Sequence, residues 1–163
     1  MEFYRFDTPF GPMALGEEGG AIVRLYLPNS PTPRLMSRAT PLLAEGERQL
    51  GEYFAGKRER FDLPLDLKGT PFQQKVWRAL LDIPYGQTRT CGDIARAVGS
   101  PRSIRAVGLA SDRDPIPILV PCHRMAESGN APVRYAGGPE LKAALLELEV
   151  EDIKHQGGRL KNV

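Results

Sequence analysis

The hydrophobic periodicity of the chain changes near Lys68, and this change constrains the fold more than any other feature. Before it, EFYRFDTPFGPMALGEEGGAIVRLYL (residues 2–27) consists of short alternating apolar runs broken by glycine and proline. Such runs are typical of a small antiparallel sheet. A helix is then predicted from Thr40, as N-cap, to Gly56, with Pro41 in its first turn. The first part of the chain is therefore predicted to be α/β.

The second part of the chain carries helical signals. TPFQQ (residues 70–74) has the order of a capping box with proline at the first helical position. The stretches CGDIARAV and RSIRAVGLASD are joined by the short turn GSP, which is the pattern of a helix-turn-helix, although many small helical proteins contain such a corner. IPILV is predicted to be a buried strand or extended segment, and ELKAALLELE a last helix.

These patterns predict two domains and a tail in the 163 residues. Residues 1–68 form an α/β N-terminal domain, a small antiparallel sheet plus a helix. Residues 69–155 form a mostly helical C-terminal domain with a helix-turn-helix of winged-helix type, and residues 156–163 form the tail. Because a domain as small as the first is marginal for independent folding, we expect it to pack on the second.

Composition excludes several classes of protein. With 41% hydrophobic and 26% charged residues, the chain suits a globular domain with a real core. Its apolar runs are far shorter than the ~20 residues of a membrane span, and the N-terminus lacks the basic and apolar blocks of a secretory signal. The 2 cysteines and 2 histidines are scattered without zinc-ligand spacing. A cytoplasmic protein without metal is expected.

Arginine is concentrated in one part of the chain. Between Gly86 and Arg124 arginines outnumber acidic residues, and such an excess fits contact with phosphates. On charge alone, a solvated helical face is the better interpretation. The arginines are Arg89, Arg96, Arg102, Arg105, Arg113 and Arg124, and the acids are Asp93, Asp112 and Asp114.

The stretch LVPCHRM (residues 119–125) places a cysteine directly beside a histidine. A cysteine is a good nucleophile only as thiolate, so it needs a positive or proton-accepting neighbour. Adjacent residues of a strand point to opposite faces, so Cys122 and His123 could pair only through irregular backbone, which Pro121 favours, or through a bridging water. Glu149, at the edge of the last helix's apolar stripe, could orient the imidazole. Taken one at a time, Cys122 could also be a buried structural cysteine, and His123 and Glu149 could be surface residues.

Four stretches, in order, resemble the O6-alkylguanine-DNA alkyltransferases, a family of single-turnover DNA repair proteins. PIPILVPCHRM resembles their active-site signature, and QLGEYFAGKRERFDLPLDLKGTPFQQKVWRALLDIPYGQTRT the segment before it in bacterial members. RSIRAVG resembles their recognition helix and YAGGPELKAALLELE their C-terminal helix. PCHR alone would be moderately specific, whereas all four stretches together are highly specific.

The resemblance implies a function. The protein would bind duplex DNA containing O6-alkylguanine, with its recognition helix in the minor groove, and flip the damaged base into a pocket. The alkyl group would then pass irreversibly to the protein's own cysteine. Activity on O4-alkylthymine stays open. A monomer without cofactor or membrane contact is expected.

The resemblance also assigns catalytic roles. Cys122 would be the alkyl acceptor, and His123 would take its proton through a water. Glu149 would hold the imidazole, and this pairing would favour its protonated form and thereby the thiolate. Arg124, next in the chain, is grouped with the substrate- and DNA-binding residues.

Further residues match positions that bind substrate or DNA in the family. Arg105 matches the arginine finger that fills the space vacated by the base. The neighbouring small residues Ala106 and Gly108 suit close approach of the helix to a narrow groove. Tyr135 matches the pocket tyrosine, and Lys142 matches a lysine after paired glycines. Core packing of Tyr135 and a surface position of Lys142 are the alternatives.

Three positions depart from the family pattern. Cys91 stands where a tyrosine usually donates a hydrogen bond to the guanine; a thiol is smaller and a weaker donor, so slower transfer or a different lesion is expected. Asp114 replaces an asparagine, and an ionised carboxylate there would disfavour a thiolate at Cys122. Arg134 replaces a small residue before the pocket tyrosine.

Other functions remain in competition with alkyl transfer. Cys91 and Asp114 leave room for a lesion sensor that binds alkylated bases without transfer, although known binders of this kind lack the cysteine. A cysteine hydrolase or acyltransferase using Cys122, His123 and Glu149 gives no reason for the helix-turn-helix. The protein could also be a DNA-binding regulator without chemistry, but the PCHR stretch would then have to be a coincidence.

Overall fold

The first part of the chain is a three-stranded antiparallel sheet. The computed structural model describes residues 1–127 and 133–161, with only the helical backbone for 157–161. The strands lie in the order β1-β2-β3, as predicted from the alternating runs. They are β1 (Glu2–Thr8), β2 (Gly11–Glu18) and β3 (Ala21–Tyr26).

Helix α1 (Pro41–Phe54) covers this sheet. The Thr40 hydroxyl accepts a hydrogen bond from the backbone N–H of Leu43 at 3.1 Å, so the predicted cap is confirmed. Helix and sheet approach closely at Gly46, where a Cβ would lie 2.6 Å from a methyl carbon of Leu15. The buried face of α1 faces the sheet at its start and the candidate site at its end.

The second part is mostly helical, as predicted. The α2 and α3 helices both begin with complete capping boxes, at Thr70 and Thr90. Helices α3 and α4 follow each other across a short turn, in the predicted order. The elements are α2 (Pro71–Leu81), β4 (Arg89–Thr90), α3 (Cys91–Ala97), α4 (Ile104–Asp112), β5 (Met125–Ala126) and α5 (Pro139–Lys161), with β4 and β5 paired in parallel.

Two expectations change in detail. The IPILV segment is buried but is not a regular strand, since Ile118 has a φ of 74° and the N–H of Val120 bonds to the carbonyl of Ile116 at 2.9 Å. This turn reverses the chain before Cys122. The last helix also includes residues 156–161 of the predicted tail, whose order the sequence left open.

Both parts of the chain contribute to one hydrophobic cluster. Leu15 and Leu43 from the first part share it with Val76, Trp77 and Leu145 from the second. The expected packing of the small first part on the second is therefore observed, whereas the division at residue 68 stays a prediction. Within the described residues, none of the helices combines the length and the apolar character needed to cross a membrane.

Candidate active site

Cys122 lies inside the protein on an irregular piece of backbone. A single 3₁₀ turn spans Cys122–Arg124, and the N–H of Arg124 bonds to the carbonyl of Pro121 at 3.0 Å. Cys122 is 4% exposed and His123 is fully buried. The irregular backbone that a cooperating Cys–His pair requires is therefore present.

The imidazole of His123 is held by a carboxylate from the last helix. His123 Nε2 lies 2.7 Å from Glu149 Oε2, and both side chains are buried. Because a carboxylate oxygen can only accept, Nε2 carries the proton and Nδ1 is an acceptor. Among the described residues, Nδ1 has no hydrogen-bond partner. Glu149 is thus an interior residue, deeper than the edge position that its helical spacing predicted.

Glu149 accepts hydrogen bonds from three other parts of the chain. Arg124 donates from Nε to Oε1 at 2.9 Å and from Nη2 to Oε2 at 3.1 Å. The Tyr53 hydroxyl donates to Oε2 at 2.6 Å, and the Gly86 N–H donates to Oε1 at 2.9 Å. Gly86 has a φ of +75°, and a Cβ there would clash with a methyl carbon of Ile153. Four donors and a rigid turn hold the carboxylate.

This network determines the charge of the pair. Burial alone would raise the pKa of Glu149, but hydrogen bonds from His123, Arg124 and Tyr53 lower it to about 2. Burial lowers the pKa of His123 below its usual value. The charge of Arg124 lowers it further, whereas Glu149 raises it. Glu149 does favour the protonated imidazole, as expected, but burial outweighs this effect, so the imidazole is neutral. Arg124 already neutralises the carboxylate.

The structure reassigns Arg124. It is 7% exposed, and its remaining nitrogen Nη1 donates to the carbonyl of Ile83 at 2.9 Å. Its guanidinium also lies 5.5 Å from the ring centre of Tyr85. A contact with DNA phosphates would require breaking this buried ion pair with Glu149. Arg124 is a positioning residue rather than a DNA-binding one.

Among the described residues, several buried polar groups that interact electrostatically with Cys122, or follow it in the chain, have an unpaired atom. Asp114 and Tyr135 are 7% and 9% exposed, and the rings of His123 and Tyr135 meet edge to face at 6.5 Å. Three buried polar atoms lack a hydrogen-bond partner among the described residues: Asp114 Oδ2, His123 Nδ1 and Tyr135 Oη. Because buried polar atoms are rarely left unpaired, such a group indicates a site for a ligand or bridging water.

The thiol itself is resistant to ionisation. Burial raises the pKa of Cys122 well above its usual range, and the neighbouring Asp114 carboxyl raises it further. Lys142 is the cation that acts against these effects. Its Nζ donates to the carbonyl of Met125 at 2.8 Å, so Lys142 lies beside the site and not on the outer surface. Cys91, fully buried at the start of α3, is near the same ammonium.

The residues predicted to contact DNA lie apart from the thiol. Arg105 and Ala106 are exposed on α4, and Gly108 is half-buried. Leu109, one turn after Arg105, is 53% exposed. Arg134 is exposed beside the buried Tyr135. The site therefore combines a buried thiol with an exposed helical face.

Sequence reasoning missed Tyr53 and Gly86. Tyr53 is on α1, in the first part of the chain, and its hydroxyl also lies 3.4 Å from His123 Nε2. Its place on the buried face of the predicted helix was a signal for burial, but nothing indicated its partner. The turn IPYGQ indicated Gly86 as a turn residue without indicating the N–H that it donates.

The comparisons with known proteins agree with this architecture. The family model described as the DNA binding domain of 6-O-methylguanine DNA methyltransferase matches residues 71–151. The model described as the ribonuclease-like domain of the same family matches residues 2–67. The chain belongs to the 6-O-methylguanine DNA methyltransferase family.

Individual relatives are similar over nearly their whole length. The constitutive methylated-DNA–protein-cysteine methyltransferase of Bacillus subtilis is 49% identical over 158 residues, covering 91% of this chain and 96% of that protein. The corresponding protein of Mycobacterium tuberculosis H37Rv is 45% identical over 160 residues, covering 91% and 93%. The crystal structure of Mycobacterium tuberculosis OGT in complex with DNA has a TM-score of 0.85 and 41% identity, covering 93% of this chain and 94% of that one.

Proposed function

We propose that this protein repairs duplex DNA by transferring the alkyl group of O6-alkylguanine to Cys122. Each monomer reacts once, because the thioether formed is stable. The observation that carries the proposal is the buried thiol of Cys122, next in the chain to the His123–Glu149 pair, in which His123 Nδ1 is unpaired among the described residues. The names of the similar proteins support the same activity.

The burial of the thiol requires the base to leave the helix. Cys122 is 4% exposed, so an alkyl group inside a duplex cannot reach it. The exposed face of α4, with Arg105 and small Ala106, enters the minor groove, and Arg105 fills the space that the base vacates. The Tyr135 hydroxyl is free to donate a hydrogen bond to the extruded guanine.

The chemistry is a displacement at the alkyl carbon. A water between Cys122 and His123 Nδ1 passes the thiol proton to the imidazole, whose tautomer Glu149 holds. The sulfur–carbon bond forms as the bond from carbon to guanine O6 breaks. The first part of the chain takes part through Tyr53, so the proposed domains 1–68 and 69–155 act as one unit.

Intact-protein mass spectrometry tests the function. After incubation with a duplex carrying O6-methylguanine, we expect a gain of one methyl group, located by peptide mapping on the peptide with Cys122. Cys122→Ala is expected to show no gain, and Cys91→Ala, the matched change at the other buried cysteine, to retain it. A methyl group on any other residue would contradict the assignment.

A lesion sensor remains a second candidate because of Asp114. Its carboxyl opposes ionisation of the thiol beside it. Tight, selective binding to the methylated duplex without any mass gain would identify a sensor. Multiple turnover of esters or amides would instead identify the hydrolase alternative.

Arg105→Ala is expected to slow transfer from duplex DNA without affecting the chemistry. Holding a base outside the stack costs a few kcal/mol, so losing the finger is expected to slow the reaction roughly 10–100-fold. Single-turnover rates on the duplex and on free O6-benzylguanine base measure the difference. The free base needs no flipping, so its rate is expected to stay near that of the wild type.

Arg102→Ala is the matched control, since Arg102 is another exposed arginine just before α4. It is expected to weaken DNA binding in a salt-dependent way while leaving the rate at saturating DNA unchanged. If Arg105→Ala slows transfer from the duplex and from the free base by the same factor, the role of Arg105 as a finger is contradicted.

A further inference from the structure

Leu109 is a large apolar side chain on the outer face of α4. It is 53% exposed, the largest exposed fraction of any large hydrophobic residue that the structure describes after residue 68. It takes no part in the alkyl transfer as proposed. Exposing an apolar side chain of this size to water is unfavourable, and burial against a partner would be favourable. Because single exposed leucines are common on protein surfaces, the surroundings of Leu109 decide whether it has a partner.

The packing of α4 fixes the direction of this side chain. The opposite face of the helix is buried at Val107, Ala110 and Ser111. The indole N–H of Trp77 donates to the carbonyl of Ala110 at 2.8 Å and holds the helix against α2. Because α4 cannot rotate without exposing these residues, Leu109 stays directed away from the core. It is available to a partner that approaches the outer face of α4.

Exposed arginines flank Leu109 along the chain. Arg105 lies one turn before it, Arg113 lies one turn after it, and Arg102 lies just before the helix begins. The acidic residue of this stretch, Asp112, is half-buried. An apolar centre with cations at both ends complements a DNA groove, which has phosphates along its edges and base pairs and sugars at its floor. The outer face of α4 therefore matches DNA in both charge and polarity.

A second copy of the chain fits this face less well than DNA does. In a symmetric dimer the same patch meets itself, so Arg102, Arg105 and Arg113 of one copy would approach the same arginines of the other. Like charges placed against each other oppose association. A polyanion meets the arginines with the opposite charge and also offers an apolar surface to the leucine, so the duplex is the occupant that the charges favour.

The spacing of Arg105 and Leu109 fits a duplex. Four residues of an α-helix span about 6 Å along its axis, and successive base pairs are about 3.4 Å apart. With Arg105 in the space of the extruded base, Leu109 therefore lies within about two base steps of that space along the groove. The residues between them include the small Ala106 and Gly108, which permit close approach. Leucine is among the apolar side chains that minor-groove proteins insert between base steps, partly unstacking them.

We propose that Leu109 is an apolar wedge that enters the minor groove beside the lesion and loosens the base stack next to it. The inference rests on the proposed function and adds a positioning residue to it, since Leu109 acts on the duplex and does not touch the reacting atoms. Its role differs from that of Arg105. The arginine fills the space after the base has left, whereas the leucine lowers the free energy needed for the base to leave.

Fluorescence of 2-aminopurine tests the wedge directly. The probe replaces the base next to O6-methylguanine in a duplex, where stacking quenches its emission. Both proteins carry Cys122→Ala and saturate the duplex, so that no alkyl transfer changes the complex. We expect emission to rise when the Cys122→Ala protein binds, and to rise by roughly half as much or less when Leu109→Ala is added. Equal emission from the two proteins would overturn the proposal.

Single-turnover methyl transfer measures the consequence for repair. Leu109→Ala is expected to be roughly tenfold slower than the wild type on a saturating O6-methylguanine duplex. A duplex with a mismatched base opposite the lesion is already partly open, so the difference is expected to shrink on it. Transfer from free O6-benzylguanine, which needs no flipping, is expected to stay unchanged. A wild-type rate on the duplex, or the same slowing on duplex and free base, would contradict the wedge.

Leu81→Ala is the matched control, since Leu81 is a 41% exposed leucine at the end of α2. It is expected to follow the wild type in both emission and rate. Leu109→Met keeps an apolar side chain of similar volume and is expected to retain most of both signals. A loss in Leu109→Met as large as that in Leu109→Ala would count against the wedge. If the wild type gains no methyl group, the proposed function fails, while the emission of the Cys122→Ala complexes still decides the role of Leu109.

Discussion

Replacing Glu149 with alanine is expected to cost about 3–5 kcal/mol of stability and to abolish alkyl transfer. The substitution leaves the Arg124 guanidinium buried without its counter-charge. It also removes the acceptor for the Tyr53 hydroxyl and the Gly86 N–H. The imidazole of His123 loses the bond that holds its tautomer.

Urea unfolding and the single-turnover transfer assay measure both effects. Glu147→Ala is the matched control: Glu147 is exposed on the same helix, and the change is expected to alter stability by no more than about 0.5 kcal/mol. A loss of less than about 1 kcal/mol for Glu149→Ala would show that the network contributes little.

The same carboxylate predicts a dependence of stability on pH. Its folded-state pKa of about 2 lies below the ordinary value of 4.5, so its contribution is present above 4.5 and is lost as pH falls through the folded value. The free energy of unfolding of the wild type is therefore expected to decline between about pH 5 and 2. In Glu149→Gln this decline is expected to be smaller. An equal decline in both proteins would contradict this role.

Trp77→Ala is expected to destabilise the protein by about 3–5 kcal/mol. Trp77 is 1% exposed, and its indole N–H donates to the carbonyl of Ala110 at 2.8 Å. The side chain thus attaches α4, the proposed DNA-binding helix, to α2. Its removal creates a cavity and takes away one of the two donors of that carbonyl, the other being the backbone N–H of Arg113 at 3.2 Å.

Trp77→Phe separates these two contributions. The phenyl ring keeps much of the volume and loses the hydrogen bond, so a cost of about 1–3 kcal/mol is expected. Thermal melts and duplex binding at constant salt measure stability and the position of α4. Near-wild-type stability of Trp77→Ala would show that the region repacks without it.

The local elements could be predicted from the sequence because their signals are local. Thr40 and Thr70 cap helices through hydrogen bonds to residues three positions away, so both caps are visible in a short window. The alternation of the first strands and the helical spacing of the second part are similarly short-range. Cys122 and His123 were singled out by adjacent residues together with a family resemblance.

The environment of those residues could not be predicted in this way. Helical spacing placed Glu149 at the edge of an apolar stripe, but the tertiary structure buries it completely under Tyr53, which lies 96 positions earlier in the chain. Arg124 looked like a DNA contact and is instead the counter-charge of Glu149.

The sequence alone therefore determined the order of the elements, their caps and the identity of the nucleophile. Only the tertiary structure decided the protonation of His123, the ion pair of Arg124 with Glu149 and the burial of Asp114. The physical reason is that pKa values and ion-pair energies depend on desolvation and on the distance between groups. Both are set by the packing of segments far apart in the chain, which a local pattern does not record.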